Sequence, residues 1–160
     1  MDDKAGTASK RYIVSSCLAG LATRYDAAAA PCGSVEAAVE RGAAIPFCPE
    51  QGGGLKTPRT PAEIVGGDGH DVLKGNARVI TGDGEDVTEE FVRGAKQMLI
   101  LARLTHASAA ILKSDSPSCG AGTIYDGTFS GNMVEGDGVA AALLREAGFE
   151  IITEKEFKDD

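Results

Sequence analysis

Apolar positions along the chain follow two periods. Tyr12-Ile13-Val14-Ser15-Ser16, Ala43-Ala44-Ile45-Pro46-Phe47, residues 108–112 and Phe149-Glu150-Ile151-Ile152 are short apolar runs ending at turn residues, the pattern of buried strands. Between them the spacing turns helical. Val35, Ala38 and Val39 predict a helix capped by Ser34, running to about Arg41 and stopped by Gly42. Phe91, Ala95, Met98, Leu99 and Ala102 predict a long helix capped by Asp86 or Thr88 and ending near His106, with Glu89 and Glu90 at its positive end. Val139, Leu143 and Leu144 predict a last helix from a cap at Asp137 through Ala147, ended by Gly148. Strands delivered by helical crossovers pair in parallel. The expected fold is therefore a three-layer α/β domain. It has a small, mostly parallel sheet, helices on both faces and long Gly-rich loops at the strand carboxyl ends.

Two segments break the alternation, residues 48–86 and 114–138. Within them only Asn76–Ile80 and Thr123–Tyr125 read as short strands. Cys48-Pro49-Glu50-Gln51-Gly52-Gly53-Gly54 reads as neither strand nor stable helix. Loops this long inside a compact domain generally carry function.

A length of 160 residues fits one domain. Residues 1–10 read as a disordered lead or tag remnant, 11–153 as the domain and 154–160 as an acidic tail. The net charge is −8 and no Lys/Arg stripe is visible, which removes the electrostatic footprint of a duplex nucleic-acid binder. No run is long and apolar enough to span a membrane, and residues 1–10 lack the apolar stretch of a secretory signal. A cytoplasmic protein is expected. Neither a Gly-x-Gly-x-x-Gly fingerprint nor a Walker loop is present.

The four cysteines then become informative, because a reducing compartment favours metal or redox use over a disulfide framework. Cys17 and Cys48 follow the first two strands directly. Cys119 follows the third after a polar turn. Strand carboxyl ends share one edge of a parallel sheet, where ligands bind. Three thiolates gathered there suit a metal or cluster with one coordination position open. Iron–sulfur clusters accept cysteines from separated loops. Gly20, Gly52, Gly53, Gly120 and Gly122 lie near the three ligands and offer backbone N–H donors to an anionic group. Cys32 reads as a small core hydrophobe. His70 and His106 read as solvated surface residues. Glu50 lies two residues after Cys48, placed for general acid–base work. Ser116, Ser118 and Asp115 precede Cys119, and Arg59 is restrained between Pro58 and Pro61. A zinc-stabilised sensor or binding module remains an alternative. The absence of Cys-x-x-Cys disfavours both a structural zinc site and a thiol–disulfide protein.

Longer segments carry a family resemblance. Cys17-Leu18-Ala19-Gly20 with Arg24-Tyr25-Asp26, Cys48-Pro49-Glu50, Thr57-Pro58-Arg59, Pro61-Ala62-Glu63-Ile64, Ser116-Pro117-Ser118-Cys119-Gly120, Gly122-Thr123-Ile124-Tyr125-Asp126-Gly127 and Gly136-Asp137-Gly138-Val139 resemble the motifs of the thiouracil desulfidase family, across about residues 12–152. The stretch Ala27–Gly33 departs from the family pattern and adds Cys32. The resemblance implies a 4Fe-4S cluster held by Cys17, Cys48 and Cys119 with one open iron, and catalytic roles for Glu50 and Ser116. The implied partner is a small thiolated pyrimidine. The implied reaction converts 2-thiouracil to uracil and sulfide without net redox change. Sulfur removal from another thiolated compound is the neighbouring alternative.

Overall fold

Strand alternation sets the layering. In the computed structural model, which describes residues 10–158, β1 (Tyr12–Ser15) turns Ile13 to one side and Tyr12 and Val14 to the other. The remaining elements are α1 (Gly33–Glu40), β2 (Ala44–Phe47), α2 (Pro49–Gly52), β3 (Ala62–Val65), α3 (Gly69–Leu73), β4 (Arg78–Thr81) and α4 (Thr88–Leu104). They are followed by β5 (Ala109–Leu112), β6 (Thr123–Tyr125), β7 (Met133–Glu135), α5 (Val139–Glu146) and β8 (Glu150–Thr153). Four strands form an all-parallel sheet in the order β2-β1-β5-β8. Ile13, Ala110 and Leu112 pack with Phe91, Met98 and Ala102 of α4 and Leu144 of α5. On the opposite face Val14, Ala109 and Ile111 pack with Val35 and Ala38 of α1. The result is the expected α/β sheet flanked by helices.

The strand order has a functional consequence. From β1 the chain crosses to β2 on one side and later to β5 on the other. A crevice opens at the carboxyl edge wherever the winding reverses in this way, and this one lies between β1 and β5.

The two long loops are more ordered than the sequence suggested. Asn76–Ile80 contributes β4, which pairs antiparallel with β3, and β6 pairs antiparallel with β7. The Gly-rich run after Cys48 opens with a helix, α2, where none was expected. Tertiary packing supports it. The backbones of α2 and α4 approach so closely that a Cβ on Gly94 would lie 1.7 Å from the Pro49 carbonyl oxygen. A Cβ on Gly53 would lie 1.9 Å from the Glu90 carbonyl oxygen. The glycines thus permit contact between two helices.

Three caps also differ from expectation. α1 starts at Gly33 behind Cys32, not behind Ser34. Val87 occupies the N-cap of α4, and the Asp86 carboxylate instead accepts from the Thr88 amide and hydroxyl. Gly138 occupies the N-cap of α5, because the Asp137 carboxylate is bound elsewhere.

Residues 1–9 of the expected lead and 159–160 of the expected tail lie outside the described residues. Within that tail segment, Glu154 accepts hydrogen bonds from the Ser114 amide and hydroxyl. Phe157 is buried edge-on against Tyr12, with ring centroids 5.2 Å apart. No described helix is long and apolar enough to cross a membrane.

Candidate active site

Each strand end turns in a different way, and each turn fixes one cysteine. After β1 the chain enters a 3-10 turn, Ser16–Ala19, that contains Cys17 and ends at Gly20 with φ +93°. A left-handed residue is needed there, and glycine meets it without strain. Cys48 is the N-cap of α2, and its sulfur accepts from the Gln51 amide at 3.5 Å. Beyond β5 the Ser116 hydroxyl oxygen accepts from the amides of Ser118 (3.1 Å) and Cys119 (3.0 Å). That closes the tight turn presenting Cys119. Cys17, Cys48 and Cys119 line one cavity of about 380 Å³, together with Glu50, Ser116, Ser118 and Arg59. Cys32 is not among its lining residues. It packs half-buried against the α1 face of the sheet.

All four cysteines are free thiols. Burial dominates the titration of the three that line the cavity. It pushes Cys17 up to about 11, against the opposing fields of Lys113 and Arg24. It raises Cys48 as well, opposed in part by the Gln51 amide and Arg59, and raises Cys119 furthest. Such thiols become thiolates only when a positive group binds them. Among the described residues, no three His, Cys, Asp or Glu side chains are grouped closely enough to grip one metal ion. A donor set of three cysteine sulfurs facing one cavity fits an iron–sulfur cluster, which takes its thiolates from separated loops.

Beside the sulfurs stands a fixed carboxylate. Arg59 Nε donates to Glu50 Oε1 at 2.8 Å, and Ser118 Oγ donates to Glu50 Oε2 at 2.8 Å. Arg59 is itself anchored: Nη2 donates to the Thr23 carbonyl at 2.8 Å and Nη1 to Thr57 Oγ1 at 2.7 Å. The Arg59 and Glu50 side chains are only 8% and 15% exposed. A pair this sheltered from water interacts far more strongly than a surface ion pair. Arg59, Pro-flanked in the sequence, therefore has a definite role, holding Glu50. Ser118 rather than Ser116 reaches that carboxylate. The Ser-Pro-Ser spacing pointed to both serines but does not tell them apart.

His70 departs from the sequence reading. Instead of being simply solvated, it bridges Asp137 (2.8 Å) and Glu146 (2.7 Å), joining α3 to α5. Asp137 in turn receives Arg145 and the Gly122 amide. This network braces the loop that follows Cys119. His106 sits just past α4 with φ +57°, away from the cavity lining.

Known proteins resemble the chain over nearly its whole length. A solved structure of the 4Fe-4S-dependent thiouracil desulfidase TudS superposes with a TM-score of 0.81 at 41% identity, covering 92% of each chain. A Bacillus subtilis (strain 168) relative, "Uncharacterized protein YbbK", is 50% identical over 147 residues, 92% of this chain and 97% of its own. The family profile described as 2-thiouracil desulfurase matches residues 12–156, a span that holds all three strand-end cysteines, Glu50 and both serines. The chain belongs to the 2-thiouracil desulfurase family.

Proposed function

We propose that this protein is a cluster-dependent desulfidase that converts 2-thiouracil and water to uracil and hydrogen sulfide, with no net electron transfer. The observation carrying this reading is the convergence of Cys17, Cys48 and Cys119 on one cavity beside the immobilised Glu50. Held by three thiolates, a 4Fe-4S cluster supplies one iron without a protein ligand, a sulfur-seeking Lewis acid that makes sulfide a better leaving group.

The protein's own residues do the rest. Glu50 accepts the proton of the attacking water, the general-base role. Arg59 and Ser118 set the direction of its carboxylate, so that no reorientation is needed during reaction. The Ser116 oxygen is occupied by two amides, which leaves its single O–H to donate, either to Ser118 or to a bound pyrimidine. The cavity volume, about 380 Å³, lies within the usual small-molecule range of about 300–1,000 Å³. Lys113 and Arg24, whose fields act on Cys17, offset the negative charge of a thiolate-bound cluster. The acidic surface favours a small substrate over RNA, in a cytoplasmic setting.

Anaerobically prepared protein incubated with 2-thiouracil and no reductant tests the reading. Uracil and sulfide should form in equal amounts, and Glu50→Gln should retain its iron while losing turnover. A requirement for reductant, or near-normal turnover in the Gln variant, contradicts it.

A further inference from the structure

The loop joining β6 to β7 is built more rigidly than an exposed turn requires. Asp126 Oδ1 accepts from the Thr128 amide and hydroxyl, and the Asp126 amide donates to the Asn132 carbonyl. Glu63 of β3, 9% exposed, accepts at one oxygen from the amides of both Gly127 (2.9 Å) and Phe129 (3.1 Å). Gly127 presses against β3 so closely that a Cβ there would lie 2.5 Å from the Ile64 carbonyl oxygen. These contacts hold Phe129 at φ +59°, a region bulky side chains rarely adopt and one associated with functional constraint. Yet the residue remains 42% exposed. It lines the cavity of the three cysteines, as does Tyr125, which is also half-exposed. A strained backbone and a sheltered carboxylate thus hold an exposed aromatic residue on the cavity lining.

We propose that Phe129 is a substrate-contacting specificity residue. Its ring forms the outer wall against which the flat ring of a thiolated heteroaromatic base packs, and Glu63 is the positioning residue that holds it there. This deepens the desulfidase reading and rests on it for the substrate class. The geometry selects for aromatic planarity, because a face-on contact is lost when the ligand ring puckers. Hydrogen bonding to the ring edge by Ser116 is a separate requirement.

Uracil and 5,6-dihydrouracil separate the two, since they share polar groups and differ in planarity. Calorimetric binding of both to cluster-loaded wild type, Phe129→Ala, Phe129→Tyr and Glu63→Ala is the test. Wild type should prefer uracil by roughly tenfold, the size of one base–aromatic stacking contact. Phe129→Ala should abolish that preference, Phe129→Tyr should restore it, and Glu63→Ala should resemble Phe129→Ala. Phe129 is exposed, so its variants should fold even if Glu63→Ala does not. Preserved preference in Phe129→Ala overturns the proposal. So does unchanged pyrimidine binding accompanied by an altered oligomeric state, which would make the ring an interface residue. Turnover of 2-thiouracil by wild type is recorded in parallel. Its absence removes the desulfidase reading alone, and the binding preference still decides the role of Phe129.

Discussion

The Ser118 hydroxyl donates to Glu50 Oε2 at 2.8 Å across 68 positions of sequence. One residue follows β2 and the other follows β5, so the bond joins the two turns that present Cys48 and Cys119. The same serine lies 3.8 Å from the Cys119 sulfur. A single hydroxyl thus ties the proposed base to a proposed cluster ligand. Ser118→Ala should lower kcat about tenfold, as expected for loss of one hydrogen bond to a charged group, with little change in iron content. Unchanged kcat would show that Glu50 is oriented without it.

Arg59 holds the other oxygen of Glu50. Arg59→Ala should lower kcat toward the level of Glu50→Gln, a loss on the order of 10²–10⁴-fold for a general base. Arg59→Lys should recover only part, because a lysine cannot reproduce the planar fork that also binds Thr23 and Thr57. Steady-state kinetics checks the split, with KM moving less than kcat. A KM effect alone would place Arg59 on the substrate instead.

The α2–α4 contact sets where Cys48 and Glu50 stand. Gly94→Ala forces a methyl group into the Pro49 carbonyl. The variant should lose about 1–3 kcal/mol, typical of overpacking, and retain less iron than wild type. Chemical denaturation and metal analysis measure the two effects. Full stability and full iron content together would mean that α2 shifts freely, against the rigid placement argued above.

The α3–α5 brace is pH-sensitive through His70. Burial lowers its pKa, but the bonds to Glu146 and Asp137, aided by the nearby Asp68, outweigh this and raise it above the ordinary value of 6.5. Burial pushes Asp137 up, yet its bonds to Arg145 and His70 prevail and lower its pKa, so it stays ionised at neutral pH. A folded pKa above the unfolded one gives stabilisation that is complete below about 6.5 and fades as pH rises through the folded value. The melting-temperature difference between wild type and His70→Gln should therefore be larger near pH ~5.5 than near pH ~8.5. A difference that does not vary with pH would mean the imidazolium is not what bridges the helices.

Much of the site was legible because it depends on strand ends. Residues 12–16, 43–47 and 108–112 read as strands from their apolar runs, and parallel pairing alone brings Cys17, Cys48 and Cys119 to one edge. The long helix α4 was equally clear from Phe91, Ala95 and Met98. What escaped depends on contacts between distant segments. A glycine run favours no helix by propensity, so α2 is visible only once Gly53 and Gly94 are seen against their neighbours. Asp137 precedes a helix and looks like a cap, but Arg145, His70 and the Gly122 amide compete for its oxygens and win. The link from Ser118 to Glu50, and the hold of Glu63 on the Phe129 loop, cross 68 and 66 positions and leave no local pattern.

Iron and acid-labile sulfide per chain, counted on anaerobically purified wild type, Cys119→Ala and Cys32→Ala, test the central claim most directly. Wild type and Cys32→Ala should each carry about four irons and matching sulfide, and Cys119→Ala should carry far less. Stoichiometric zinc in place of iron, or undiminished iron in Cys119→Ala, would contradict the assignment.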